Sequence, residues 1–296
     1  MLTHAASTRQ RRTEEATRSI VLRTRGHSHG AITRLISPGD IGSLVKPFVF
    51  LDYFETAPEN APQFGHHPHS GIATLTLVLS GQTYYRETTD REGVIETGGV
   101  EWMRASSGVW HTGGMIGKDR IKGFQLWVAL PPELELAEPE SQYLDASAFQ
   151  WVGPGRLIAG EYEGAKSILG SPVGMNYLDV RLKAGERWIY YPPKNHNVAW
   201  IASHQGTVST PIEVYAGEAA VFEEGEKAIQ FSAVTDTAFV LGSAIKHPHD
   251  LVMGSYSVHT TAEALHQGES NIAIIGRGLH NQGALASIGR LRSTRG

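Results

Sequence analysis

Histidine spacing carries the chemistry of this chain. Residues His66-His67-Pro68-His69 stand together, and a lone His111 follows 42 residues after His69. Alternate residues of a β-strand point to one face, so His67 and His69 can aim both imidazoles at one point while His66 points away. Proline between them is unsuited to a central ladder but acceptable at a strand start or an edge. A later strand pair can bring in His111, giving three neutral nitrogen ligands for a first-row divalent metal. The blander reading is that these are ordinary surface histidines, since 14 His in 296 residues make close pairs unsurprising. A His-x-His spacing lacks the specificity of a four-cysteine pattern, so spacing alone leaves both readings open.

The elements that must position these residues are strands. Glycine (33) and proline (14) punctuate short β-like runs: Thr74–Leu79, Gln82–Arg86, Gly93–Glu96, Val100–Met103 and Phe124–Leu130. Strands at such spacing, with turn residues between them, indicate an antiparallel sandwich or barrel. Helix is scarce; the candidates are Glu133–Leu136 and Thr260–Leu265, the latter with Thr260 as N-cap and Glu263 three residues on. After Tyr143 the rhythm pauses and then resumes with Tyr177–Leu182, Asn197–Ala202 and Phe239–Gly242. Tyr215–Phe222 resembles Ile95–Met103, each a glycine turn entering a strand, which reads as a weak internal duplication. The expected fold class is therefore all-β, two antiparallel β-barrels in tandem with few short helices. The expected divisions are a disordered leader over 1–18, a metal-binding barrel over 19–145, a metal-free barrel over 146–275 and a loose tail over 276–296.

Composition narrows the function classes. Apolar residues make up 41% of the chain, enough for real cores, and its length suggests two domains. A formal charge of −4, from 26 basic and 30 acidic residues, argues against a direct nucleic-acid surface. With no cysteine, disulfides, thiolate metal sites and a cysteine nucleophile are excluded. No apolar run approaches the roughly 18 residues that span a bilayer. The first 19 residues mix charges and lack an apolar stretch, so they do not read as a secretory signal, and the expected location is cytoplasmic.

Several motifs in order resemble the pirin family: Phe48–Phe54, His67-Pro68-His69-Ser70-Gly71, Gly99–Met103, Ser107–His111 and Gln125–Val128. The likeness is dense over Val45–Tyr143 and thins to architecture beyond, with a further local match at Gly254–Thr260. The resemblance implies a bicupin, two jelly-roll-type barrels with one mononuclear metal in the first. It implies iron, held by the two histidines of the His-Pro-His motif, a later histidine, and a glutamate two residues beyond that. Bacterial and mammalian members are associated with quercetin 2,3-dioxygenase activity, and the mammalian protein with transcriptional co-regulation.

Carried over residue by residue, His67, His69 and His111 match the first three ligands. The fourth departs: Gly113 stands where the family has glutamate. Other cupins take a carboxylate four or five residues past the histidine pair, but Ala73 and Thr74 occupy those positions. A three-imidazole face leaves the full dipositive charge on the metal, as in cupin thiol dioxygenases. Such a site would bind metal more weakly and favour substrates that bring their own anion. Glu101 is a candidate substitute carboxylate, and strand parity alone does not say whether Glu101 or Trp102 faces the interior. Trp102, Trp110 and Trp127 are expected to fill the core rather than stack a ligand. The second His-Pro-His, His247–His249, sits where the family has no ligand and reads as a solvated turn. Ser106-Ser107-Gly108 shows no general-base partner, so a serine hydrolase has little support.

The expected function is thus a quercetinase-like dioxygenase. One divalent metal, Fe(II) with Mn, Ni, Co, Cu or Zn as alternatives, would be held by His67, His69 and His111 and act on a small phenolic or enolic molecule and dioxygen. No protein base is assigned beyond the metal ligands. The alternative is a non-enzymatic, poorly metallated ligand-sensing or regulatory protein, since fold does not settle function.

Overall fold

In a computed structural model the described residues are 17–60, 63–170, 173–281 and 283. They fall into two compact units, one within Gly26–Ala148 and His247–Gly296, the other within Met1–Arg25 and Phe149–Lys246. The interruption near 148 lies close to the 145/146 division read from the sequence, but the chain ends trade places. Strand Ile20–Thr24 pairs antiparallel with Ala219–Phe222 of the second half. Most of the expected leader, residues 1–16, lies outside the described residues. Arg18 does not behave as leader: it is fully buried, and its guanidinium donates to the carbonyls of Glu223 and Asn197.

The unit that carries the candidate histidines is a sandwich of two antiparallel sheets. Its larger sheet runs, in spatial order, Glu140–Leu144, Val100–Arg104, Ile72–Ser80, Ile121–Ala129, Phe48–Thr56, Ile32–Ile36 and His27–His29. The central strand Ile72–Ser80 is buried along most of its length. The smaller sheet runs Gln63–His69, Val109–Ile116, Gln82–Glu87 and Arg91–Ile95. The other unit repeats the plan with a seven-stranded and a four-stranded sheet around Leu178, Tyr190, Ile201, Phe231 and Phe239. Tandem jelly-roll units of this kind are the bicupin architecture. The sheets stay open at their edges rather than closing into full barrels.

The helices differ from the sequence expectation. Glu133–Leu136 is a turn, and Thr260–Leu265 is only the start of a 20-residue helix, Ala262–Asn281, that absorbs the beginning of the expected tail. Thr261, not Thr260, is the cap: its hydroxyl accepts the amide of Ala264. Three glycines hide this helix from propensity reasoning. Two of them are packing requirements. The buried stripe Ala264, Gly268, Ile272 and Gly276 lies at four-residue spacing on one face. A Cβ at Gly276 would stand 2.6 Å from Cζ2 of Trp110, and one at Gly268 would stand 2.4 Å from Nε2 of His259. Trp110 therefore lies under the helix, its indole N–H donating to Ile272 O at 2.7 Å, while Trp102 and Trp127 are buried in the core as expected.

This packing makes a prediction with opposite signs at two glycines of one helix. Gly278→Ala, with nothing within 4 Å of the added methyl, should stabilise by roughly 0.5–1 kcal/mol through helix propensity. Gly276→Ala should destabilise by about 1–3 kcal/mol because the methyl drives into Trp110. Urea midpoints of the two variants check this; equal shifts of the same sign would refute it.

Candidate metal centre

Strand Gln63–His69 lies at the edge of the smaller sheet, the position at which Pro68 costs no ladder hydrogen bond. It pairs antiparallel with Val109–Ile116, in a register that sets His67 opposite His111, Pro68 opposite Trp110 and His69 opposite Val109. Period-two alternation then sends Pro68 and Trp110 to one face and the three histidines to the other. One ligand nitrogen from each of His67, His69 and His111 lies within 4.8 Å of the others.

The outer nitrogens fix how the rings present themselves. His67 Nδ1 is 2.8 Å from Gly65 O, and His69 Nδ1 is 3.1 Å from Tyr256 O. A carbonyl can only accept, so both rings carry their proton on Nδ1 and leave Nε2 as a lone pair. His67 Nε2 and His111 Nε2 stand 2.9 Å apart. Two nitrogens at right angles on a six-coordinate ion, each about 2.1 Å from it, are separated by about 3 Å. His69 Nε2 is buried and finds no hydrogen-bond partner among the described residues. An orphaned buried nitrogen beside two converging ones is the donor arrangement a divalent metal requires, so these residues fit one.

Glu101 does face the interior, which settles the parity left open by the sequence. Its Oε2 accepts from Thr76 Oγ1 at 2.6 Å, and its Oε1 lies 3.8 Å from His111 Nδ1. The carboxylate thus stands behind His111, on the side away from the Nε2 cluster, and not in the place of a fourth ligand. Gly113 lines the same cavity, so no carboxylate enters from that position either. His66 is not one of the converging group.

The cavity beside the histidines has a volume of ≈ 100 Å³ and lies between the two sheets. Phe54, Phe64, Met115 and Ile121 give it apolar walls, and Asp52, Thr76, Glu101 and Gln125 bring polar groups to it. Trp127, stacked on Phe50 at 4.1 Å, sets its edge against the His69 ring at 4.8 Å. Trp127 and Tyr256 are the contributors that histidine spacing missed. Tyr256 is 187 residues from His69 in the chain. The one sequence signal for it is the local family match at Gly254–Thr260.

Burial pushes the imidazoles of His69 and His111 well below the usual range, with the neighbouring histidines adding to the effect. Both rings are therefore neutral near pH 7 and ready to ligate. On unfolding they regain ordinary imidazole affinity for protons, so below about pH 6.5 the unfolded chain binds more protons than the folded one. Metal-free protein should accordingly lose stability as pH falls from 7.5 to 5.5, at ~1.4 kcal/mol per pH unit for each proton taken up. A urea midpoint that holds constant over that range would contradict the burial of these rings.

The second His-Pro-His is a loop, as expected, but not a solvated one at His247. That ring is buried; Nε2 lies 3.2 Å from Leu130 O and Nδ1 accepts the amide of His249. Both nitrogens are occupied, so His247 has no lone pair to offer a metal.

Comparison with known proteins gives the family. The pirin family model matches residues 29–128. A pirin-like protein of Caulobacter vibrioides is 32% identical over 221 residues, covering 71% of this chain and 79% of that one. The chain belongs to the pirin family. Among solved structures, a quercetin 2,3-dioxygenase from Acinetobacter baumannii superposes with TM-score 0.78 at 22% identity, covering 92% of this pirin and 100% of that chain. The bacterial pirin YhhW from Escherichia coli, in complex with nickel(II), superposes with TM-score 0.62 at 19% identity, covering 78% and 98%. At these identities the two structures establish the bicupin fold of this pirin. No helix among its described residues is long and apolar enough to cross a membrane.

Proposed function

We propose that this pirin is a metal-dependent dioxygenase, quercetinase-like in chemistry, with His67, His69 and His111 holding one Fe(II)-class ion and a small phenolic or enolic molecule as substrate. The observation that carries the proposal is the convergence of three buried or half-buried imidazoles on one point, with two tautomers fixed by backbone carbonyls. When bound, the metal supplies a Lewis acid and a binding position for dioxygen. The chain supplies the rest. Three neutral imidazoles leave the ion's charge uncompensated, which favours a substrate that arrives as an enolate or phenolate. Gly113 brings no carboxylate to the cavity, so that charge is left for the substrate to supply. The ≈ 100 Å³ beside the histidines is smaller than the cavity of about 150 Å³ that encloses a benzene ring, so an aromatic substrate would enter by its oxygen-bearing edge with the rest of the molecule outside.

Elemental analysis of protein purified without added metal, together with oxygen uptake on quercetin and on single-ring catechols, tests the proposal. About one transition-metal ion per chain and metal-dependent oxygen uptake are expected. That no carboxylate joins the three histidines among the described residues favours one competing reading, a ligand-sensing binding protein. Stoichiometric metal without oxygen uptake on any phenolic or enolic substrate would favour that reading, and no retained metal would sink the dioxygenase.

A further inference from the structure

Directly after His69, a buried polar chain runs away from the metal centre. Ser70 Oγ donates to Ser257 Oγ at 2.8 Å and lies 3.0 Å from His259 Nε2. His259 Nδ1 faces Glu135 Oε2 at 3.4 Å, and the same carboxylate accepts both the amide and the hydroxyl of Thr260 at 2.7 Å. Serine, histidine and glutamate in this order match the residue types of a hydrolase triad, but Ser70 is 0% exposed and His259 1%. A Cβ at Gly268 would stand 2.6 Å from Ser70 Oγ, and one at Gly71 would stand 2.1 Å from Val258 O. Backbone closes over the hydroxyl from both sides, so no substrate reaches it. The chain of contacts serves something else.

We infer that Ser70, His259 and Glu135 form a positioning relay that fixes the tautomer and aim of His69 through the carbonyl of Tyr256. The inference rests on the reading of His69 as a metal ligand. Tyr256 O is the acceptor for His69 Nδ1. Its position is set by the residue that follows it: Ser257 forms a parallel bridge with Ser70, and Val258 N donates to Ser70 O at 3.3 Å. Gly254 N donates to Ser257 O, closing the turn that presents the Tyr256 carbonyl. His259 then pins Ser70, and Glu135 holds Thr260, the residue after His259, where the C-terminal helix begins. Ser70, Ser257, His259 and Glu135 are buried, so water offers these groups no substitute hydrogen bonds if one is removed. Outer partners that hold a ligating histidine typically change metal affinity 10–100-fold.

The test compares the parent with Ser70→Ala, His259→Ala and His259→Gln, using the imidazole ¹⁵N shifts of metal-free protein and the affinity for Co(II). In the parent, His69 should be the pure Nδ1–H tautomer. Ser70→Ala, which adds no volume and so is expected to fold, should mix the tautomers and weaken Co(II) binding by about 10–100-fold. His259→Ala should do the same, and His259→Gln, which keeps a donor near Nε2, should recover most of the loss. A folded Ser70→Ala with an unmixed His69 tautomer and parental Co(II) affinity overturns the relay, as does a parent in which His69 is not the Nδ1–H tautomer. Mixed tautomers in the variants, with no Co(II) bound by the parent, would uphold the relay and overturn the metal reading instead.

Discussion

The His67→Ala/His69→Ala variant should be recovered with essentially no metal, whereas His247→Ala/His249→Ala should keep the parent's full content. Removing two of three converging nitrogens leaves His111 alone, and a single imidazole does not retain a divalent ion through purification. The second His-Pro-His offers the same residue types at the same spacing but has none of the geometry. His247 Nε2 faces Leu130 O and its Nδ1 accepts the His249 amide, so its cost when mutated falls on stability, at about 1–3 kcal/mol for buried groups left unpaired. Metal analysis and urea unfolding on both variants separate the two outcomes. Loss of metal from the His247/His249 variant, with retention in the other, would reverse the assignment.

Gly113→Glu should change metal retention in the opposite direction. Gly113 lines the cavity beside His111, two residues along the same strand, so a carboxylate there can reach the ion and neutralise part of its charge. Retention against a chelator should rise by an order of magnitude or more. The gain comes with strain, since a Cβ at 113 would approach Tyr84 O at 2.9 Å, closer than real Cβ contacts, and the backbone of the paired strand must shift. Metal-free Gly113→Glu should therefore be less stable than the parent by about 1–3 kcal/mol, while the metal-loaded variant exchanges its ion more slowly. Unchanged chelator kinetics would show that position 113 does not border the metal.

Local pattern was enough for part of this protein. Strand alternation, with Pro68 pointing away from the two histidines beside it, determined that His67 and His69 share a face. Glycine and proline punctuation determined a mainly β chain. The motif order placed His111 with the pair. These features depend on period-two geometry and turn chemistry, which act over a few residues and are written in composition. What the tertiary structure alone decided depends on contacts between residues far apart in the chain. Glu101 faces the interior but stands behind His111, a matter of register between strands. Arg18 is buried because Ile20–Thr24 pairs with a strand about 200 residues on. The long C-terminal helix forms although glycine disfavours it, because Gly268 and Gly276 let its backbone approach His259 and Trp110. His69 owes its tautomer to Tyr256, 187 residues away. No local propensity encodes that distance; close packing of one chain end against the other does.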